Sequence, residues 1–257
     1  MNVLVTGGTG TLGRHVVMLL RQSGHRARIM SRRPRGHVDA VRGDLRTGAG
    51  LDKALAGMDV IVHAASATRE PLRWRSVDVV GTRRLLGLAR EVNIKHIVYV
   101  SIVGIDNSAF PYHKTKLKTE AIVRENIVPW SILRATQFHD LVELIVHGFS
   151  RLPAILAVPF GWQLQPVDSR EVARRVVDTV LGEPAGMLPD FGGPDVRDLR
   201  SLAQAWLVTR KDNRRLVNLG MPLKFSRQFA EGILTCPDHR EGKITFDQFL
   251  AERYPLS

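Results

Sequence analysis

The chain is almost without cysteine. Cys236 is the only one in 257 residues, so no internal disulfide can form. No cluster of Cys and His has zinc-site spacing either, which excludes a stapled or zinc-organised scaffold. Long apolar runs are missing. The longest are too short, or too broken by charge and proline, to span a bilayer, so no membrane span is expected. A secretory leader is not expected: the first apolar run begins at Val3 with no basic residue before it and leads straight into a glycine loop. These absences together predict a reducing, cytoplasmic compartment.

Acidic residues are in deficit. Lys+Arg number 37 against 25 Asp+Glu, a net charge of +12. Three readings fit such an excess: a polyanion partner, an anionic cofactor, or a solvated arginine-rich surface. The densest groups, Arg26 to Arg35 and Arg69 to Arg90, are not block tails with interleaved aromatics. The scatter favours a solvated surface, and no specific nucleic-acid partner is expected. The length and the 44% hydrophobic fraction suffice for a normal core, in one large α/β domain or one domain with a smaller lobe.

Through residue 135, apolar strands alternate with helical patterns. Strands are predicted at 2–6, 26–30, 39–42, 60–64, 96–101 and 130–134, and helices at 12–23, 51–56, 74–92 and 114–126. The strands lack polar alternation, as expected when helices cover both faces. The pattern predicts an α/β fold with a doubly wound parallel Rossmann sheet. Beyond Ala135, prolines break the rhythm. Helices are predicted at 169–182, 198–210 and 222–232, with extended pieces at 163–167 and 188–191. The expected division is a dinucleotide-binding domain over 1–135 and a smaller substrate-binding lobe over 136–257, with a soft, partly interleaved boundary.

The strongest motif is Thr6-Gly7-Gly8-Thr9-Gly10-Thr11-Leu12-Gly13, directly after the first strand and opening a helix. Glycines there let the backbone turn tightly and approach a pyrophosphate, and the helix N-terminus offers free N–H groups and a positive dipole end. Gly7, Thr9, Gly10, Thr11, Leu12 and Gly13 are candidate cofactor contacts. After the second strand, the position where an acid would meet a free ribose 2′-OH carries Ser31, followed by Arg32 and Arg33. Two guanidinium forks suit a 2′-phosphate, which favours NADP(H) and leaves NAD(H) possible. Asp44, followed by Leu45, either accepts the adenine amino group or makes a turn. Ala64, Ala65 and Ser66 end the fourth strand, where small residues leave room for a cofactor lying across the strand ends. His63 reads as a packed strand histidine rather than a base.

Tyr112 and Lys116 form a YxxxK pattern after the fifth strand. Residues four apart share a helix face. A phenol is a weak base at neutral pH, and a neighbouring ammonium is expected to lower its pKa and fit it for proton transfer. Ser101, eleven residues earlier, is placed to hydrogen-bond the same substrate oxygen.

These motifs, with the stretches Gly57 to Ala65, Val100 to Asp106 and Leu133-Arg134-Ala135-Thr136-Gln137-Phe138, resemble the short-chain dehydrogenase/reductase superfamily, in its atypical or extended NAD(P)H-binding, NmrA-like branch. The resemblance covers residues 1–180. It implies a Rossmann fold, a nicotinamide cofactor and a catalytic set in which Ser101 positions the substrate oxygen, Tyr112 is the acid/base and Lys116 binds the ribose and tunes Tyr112. The close spacing of Ser101 to Tyr112 departs from the pattern. Some members of the branch bind cofactor as sensors without turnover. Phe138, Leu141, Phe149, Phe160, Trp162 and Trp206 are candidate lining for an apolar small-molecule substrate, a carbonyl or quinone compound rather than a nucleotide sugar. Arg134 and Arg151 are candidates for holding an anion. The function expected is an NAD(P)-dependent reductase; the alternatives are a non-catalytic NAD(P)-binding sensor or an epimerase/dehydratase-like enzyme.

Overall fold

Val3, Leu4 and Val5 in the first strand have no exposed surface, and a strand buried on both faces must be covered on both. The computed structural model describes residues 1–34, 36–150 and 152–255. In chain order its elements begin β1 (Asn2–Thr6), α1 (Thr11–Gln22), β2 (Arg26–Ser31), β3 (Ala40–Arg42), α2 (Leu51–Leu55) and β4 (Val60–His63). They continue with α3 (Thr82–Glu91), β5 (His96–Ile102), α4 (Pro111–Arg124), β6 (Trp130–Ala135), α5 (His139–Gly148), β7 (Ile155–Val158) and β8 (Gln163–Leu164). The last are α6 (Ser169–Leu181), β9 (Gly186–Met187), β10 (Arg197–Asp198), α7 (Leu199–Thr209), β11 (Arg215–Asn218), α8 (Lys224–Ala230) and α9 (Phe246–Arg253).

The chain forms two compact units that interleave in sequence. One comprises Met1–Ser101, Pro111–Arg134 and Arg170–Pro189; the other comprises Ile102–Phe110, Ala135–Ser169 and Asp190–Ser257. The first unit is built on a seven-stranded parallel sheet in the order β3-β2-β1-β4-β5-β6-β9, the doubly wound Rossmann arrangement. The strand order reverses beside β1, whose register pairs Thr6 with Met30 of β2 and with His63 of β4. Ligands of open α/β sheets bind at the carboxyl ends of the strands at such a switch point. Leu4, Ile61, Ile97 and Ile132 face one side of the sheet and pack against Leu51 and Leu55 of α2, Leu85, Leu86 and Ala89 of α3, and Val123 of α4. On α1, Leu12, Val16, Val17 and Leu20 are buried, the stripe expected of a helix laid on a sheet. Arg28 of β2 caps α2 by donating from Nη1 to the carbonyls of Lys53, Ala54 and Ala56, at 3.2, 3.0 and 2.7 Å. The chain returns to this sheet late, when β9 pairs with β6, Ser131 opposite Gly186.

Two expected helices differ in their starts. The helix predicted at 74–92 opens as a 3-10 turn over Pro71–Arg73 and a π-helical segment over Arg75–Gly81 before α3 begins. The Asp78 carbonyl accepts the hydroxyls of Thr82 and Thr119, and such side-chain donors entering the backbone ladder loosen regular winding. The helix predicted at 114–126 begins earlier, at Pro111, a residue suited to a first helical position, so Tyr112 lies inside α4.

The second unit carries two small ladders, β11 parallel to β7 and β10 antiparallel to β8. Sequence reading missed α5, β7, β11 and α9. Their apolar residues belong to a core built on Trp206, Leu202, Val142, Val146 and Leu250. Gln165 is fully buried: its amide nitrogen donates to the carbonyls of Gly193 and His239, and its oxygen accepts from Cys236 N. Gln137, from the stretch after β6, accepts from Gln165 N and donates to the Leu234 carbonyl. No described helix is long and apolar enough to cross a membrane.

Two glycines in neighbouring stretches should respond oppositely to alanine. Gly87 sits in α3 with nothing within 4 Å of an added Cβ, so Gly87→Ala should stabilise by about 0.5–1 kcal/mol. A Cβ on Gly81 would stand 2.9 Å from the Leu45 carbonyl oxygen, so Gly81→Ala should destabilise. Urea midpoints measured on both variants check the pair.

Candidate functional site

The glycine loop leaves no room for a side chain at Gly7 or Gly13. A Cβ on Gly13 would lie 2.2 Å from the Gly7 carbonyl oxygen, and one on Gly7 would lie 2.8 Å from the backbone nitrogen of Ala65. Gly7 also has φ +69, a conformation that favours glycine. The turn closes through Gly10 N donating to Gly7 O at 2.8 Å. No side chain caps the N-terminus of α1 and no acid stands in its first turn, so its N–H groups are open to an anion. Thr9 is exposed and Thr11 half-buried at this mouth, while Leu12 packs inward. Thr6 Oγ1 meets His63 Nδ1 at 2.7 Å, and His63 Nε2 meets Thr82 Oγ1 at 2.8 Å. Burial, and then the charge of Lys116, lowers the His63 pKa to about 3, so this ring is a neutral linker.

Tyr112 is the hub of a buried polar cluster. Its hydroxyl lies 2.6 Å from Ser66 Oγ and 3.1 Å from Thr68 Oγ1. Ser66 Oγ donates to Asp78 Oδ1 at 2.5 Å, and Ala67 N donates to Asp78 Oδ2 at 3.1 Å. Trp74 packs against the Tyr112 ring, with centroids 5.1 Å apart. Burial, and then the Asp78 carboxylate, pushes the Tyr112 pKa up to about 12 against the hydrogen bonds of Ser66 and Thr68. This corrects the expectation of a phenol tuned downward. Lys116 is buried on the same helix face, but its ammonium donates to the Val100 carbonyl at 2.9 Å and lies 4.2 Å from the centre of the Tyr99 ring. Desolvation lowers the Lys116 pKa to about 8, opposed by Asp78 and Glu120.

The other expected residues distribute as follows. Ser101 is 4% exposed at the end of β5, and its Oγ has no hydrogen-bond partner among the described residues. Ser66 and Thr68, not Ser101, hold the Tyr112 hydroxyl. A buried hydroxyl without a protein partner fits a ligand atom at that point. Asp44 Oδ1 accepts Arg46 N at 2.8 Å, the turn alternative of its two readings. Leu45 is part of the core. Ala64 and Ala65 are half-buried at the end of β4, where Ala65 N donates to Thr6 Oγ1. Ser31 Oγ accepts Arg33 N at 3.2 Å, and Arg32 reaches Glu70 at 3.4 Å with 60% of its side chain exposed. Arg134, one of the two candidates for an anion, is taken by Glu120 in a two-pronged pair at 2.9 and 2.7 Å. Arg151, the other, and Arg35 lie outside the described residues. Trp206, at 1% exposed, is core rather than lining.

Comparison with known proteins places these features. A family model described as NAD(P)H-binding matches residues 7–143, more than half of the chain. The chain belongs to the NAD(P)H-binding family. This NAD(P)H-binding protein is 27% identical over 233 residues to the (4-alkanoyl-5-oxo-2,5-dihydrofuran-3-yl)methyl phosphate reductase of Streptomyces griseus, covering 87% of this chain and 76% of that one. It is 34% identical over 131 residues to the ceramide reductase of Caulobacter vibrioides, covering 48% of this chain and 41% of that one. The match thus spans less than half of the ceramide reductase's length. A short-chain dehydrogenase/reductase superfamily protein from Agrobacterium tumefaciens, solved with bound NAD, has the same fold, with TM-score 0.73, 22% identity, and coverage of 98% of this chain and 95% of that chain.

A nicotinamide dinucleotide fits what the family unit offers: a glycine turn in which a Cβ at Gly7 or Gly13 would collide with backbone, and an uncapped helix N-terminus. Charge agrees. The sheet unit holds 25 Lys+Arg against 12 Asp+Glu and the second unit 12 against 13, so the whole positive excess lies on the sheet unit. No group of acids, histidines and thiols suited to a metal occurs among the described residues. Thr68 and Asp78 were missed in the sequence. Asp78 stands four residues before Thr82 inside what read as a plain helix, and only the fold brings its carboxylate to Ser66.

Two substitutions test this geometry without a substrate. Gly13→Ala should abolish dinucleotide binding, because backbone faces the new methyl from across the turn; calorimetric titration checks it. Lys116 is charged below about pH 8 when folded and below 10.5 when unfolded. Unfolding therefore takes up a proton between those values, and the burial penalty is complete below pH 8. Lys116→Met should stabilise at pH 7 by on the order of 2 kcal/mol. Its advantage should shrink as pH approaches 10.5 in thermal melts.

Proposed function

We propose that the protein is an NADPH-preferring reductase of an apolar carbonyl or quinone-type small molecule, with Tyr112 as the proton donor. The observation that carries this reading is the buried Tyr112 hydroxyl held by Ser66 and Thr68, one helical turn from the buried cation Lys116. A bound nicotinamide supplies a hydride. Gly7, Thr9, Gly10, Thr11, Leu12 and Gly13 hold the pyrophosphate at the α1 N-terminus. Ser31, Arg32 and Arg33 take the 2′-phosphate, with Arg32 exchanging its exposed contact to Glu70 for the ligand. Asp44 and Leu45 border the adenine, the latter through its backbone. Ala64, Ala65 and Ser66 leave room at the end of β4, and Lys116 holds ribose hydroxyls. Ser101 hydrogen-bonds the substrate oxygen, and Tyr112 delivers the proton to it. A phenol held near pKa 12 is protonated at neutral pH and so carries a proton to give.

The relatives named as reductases support the reaction class, and the second unit has a cavity of its own. There an open cavity of about 370 Å³ is lined by Phe160, Trp162, Met221, Leu223, Ser226 and Arg227.

Two experiments test the reading. With a carbonyl and quinone panel followed by nicotinamide absorbance, Tyr112→Phe should leave NADPH binding intact and lower turnover by about 10²–10⁴. Full turnover in that variant would place the proton source elsewhere, and no turnover by the unaltered protein on any substrate would favour a sensor. NADPH should bind tighter than NADH, and Arg32→Ala with Arg33→Ala should remove at least about tenfold of the margin. Equal affinities before mutation would remove the cofactor preference.

A further inference from the structure

The Tyr112 cluster contains one group with no place in that scheme. Asp78 is 2% exposed, in the π-helical segment before α3, and both carboxylate oxygens face the site. Oδ1 receives the Ser66 hydroxyl and Oδ2 receives Ala67 N. We infer that Asp78 is a positioning residue that, through Ser66, holds the Tyr112 hydroxyl in its protonated form. This rests on the reading of Tyr112 as the proton donor.

An ionised carboxylate can only accept, and a serine hydroxyl has one proton. With that proton given to Asp78 across 2.5 Å, Ser66 presents only lone pairs to Tyr112 at 2.6 Å. The phenol can then satisfy Ser66 only by keeping its own proton. A phenolate would face those lone pairs with a carboxylate behind them, unless Ser66 turned its proton away from Asp78. Few other charges reach the cluster. Lys116 on α4 is the opposing cation, held by the Val100 carbonyl over Tyr99. Glu120, on the next turn of α4, is paired with Arg134 of β6. His63 of β4 is neutral between Thr6 and Thr82, and Tyr99 of β5 is raised well above the usual phenol range by burial. The upward push on Tyr112 and the burial that raises Asp78, opposed by Lys116, agree with this arrangement.

The step balances. A bound nicotinamide would supply the hydride for the new C–H bond at the carbonyl carbon, with the carbonyl π electron pair moving onto its oxygen. The Tyr112 O–H bond breaks and its proton passes to the carbonyl oxygen. Water then restores the proton by way of Thr68, which is exposed and 3.1 Å from the phenol oxygen. Asp78 is unchanged throughout.

The test needs no substrate. Tyrosinate absorbance is followed against pH in the full chain and in Asp78→Asn, with Tyr112→Phe subtracted to remove Tyr99 and Tyr254. Asp78→Asn should lower the ionisation of Tyr112 by about one pH unit or more. Asp78→Ala removes the carboxylate altogether and should lower the ionisation likewise, and it decides the matter if Asp78→Asn does not fold. An unmoved or raised Tyr112 titration in the folded variants overturns the inference, even where Tyr112→Phe is inactive. Full activity of Tyr112→Phe instead removes the reading of Tyr112 as donor, whatever the titration shows.

Discussion

Much of the sheet unit hangs on one buried residue, Asp78. Its side chain fixes the turn after β4 through Ser66 and Ala67, and its carbonyl takes hydroxyls from Thr82 of α3 and Thr119 of α4. Thr82 leads on to His63, and His63 to Thr6 at the end of β1. A continuous polar chain therefore runs across the strand ends from the glycine loop to Tyr112. In a low-dielectric interior each such bond is strong when made and costly when missing, so the chain holds these elements in one arrangement. The irregular winding over Arg75–Gly81 is the local form this takes, because hydroxyls compete there with the helix's own donors.

The same interior sets the proton chemistry. Lys116 and Asp78 are both buried, each moderates the other's desolvation, and their effects on a nearby phenol oppose one another. The lysine is turned to Val100 and Tyr99, while the carboxylate reaches the phenol through a single serine. Distance along the hydrogen bonds, rather than helical spacing, decides which charge the phenol feels.

The second unit is organised differently. Its strands are short pairs, and its core is aromatic, with Trp162 in edge contact with Phe149, Phe225 and Phe229. Two glutamines, Gln137 and Gln165, bind segments far apart in sequence by using their amide groups on backbone partners. Such side chains carry no periodic signature, and helix α9, which feeds the same core, follows Pro237 and a polar stretch that reads as irregular chain.

Local pattern determined the Rossmann sheet, its glycine loop and the pairing of Tyr112 with Lys116 on one helix, because strand burial, tight turns and a four-residue helical repeat are all properties of neighbouring residues. Which segments interleave between the two units, that Gly186–Met187 is the one returning to the sheet edge, and the capture of Arg134 by Glu120 came only from the fold. So did the direction in which Tyr112 is tuned. The sequence places a lysine four residues from the tyrosine, but a pKa answers to whichever charges and hydrogen bonds surround the group in space. Asp78 lies 34 positions before Tyr112 in the chain and reaches it only through Ser66, once β4, the π-helical segment and α4 have come together.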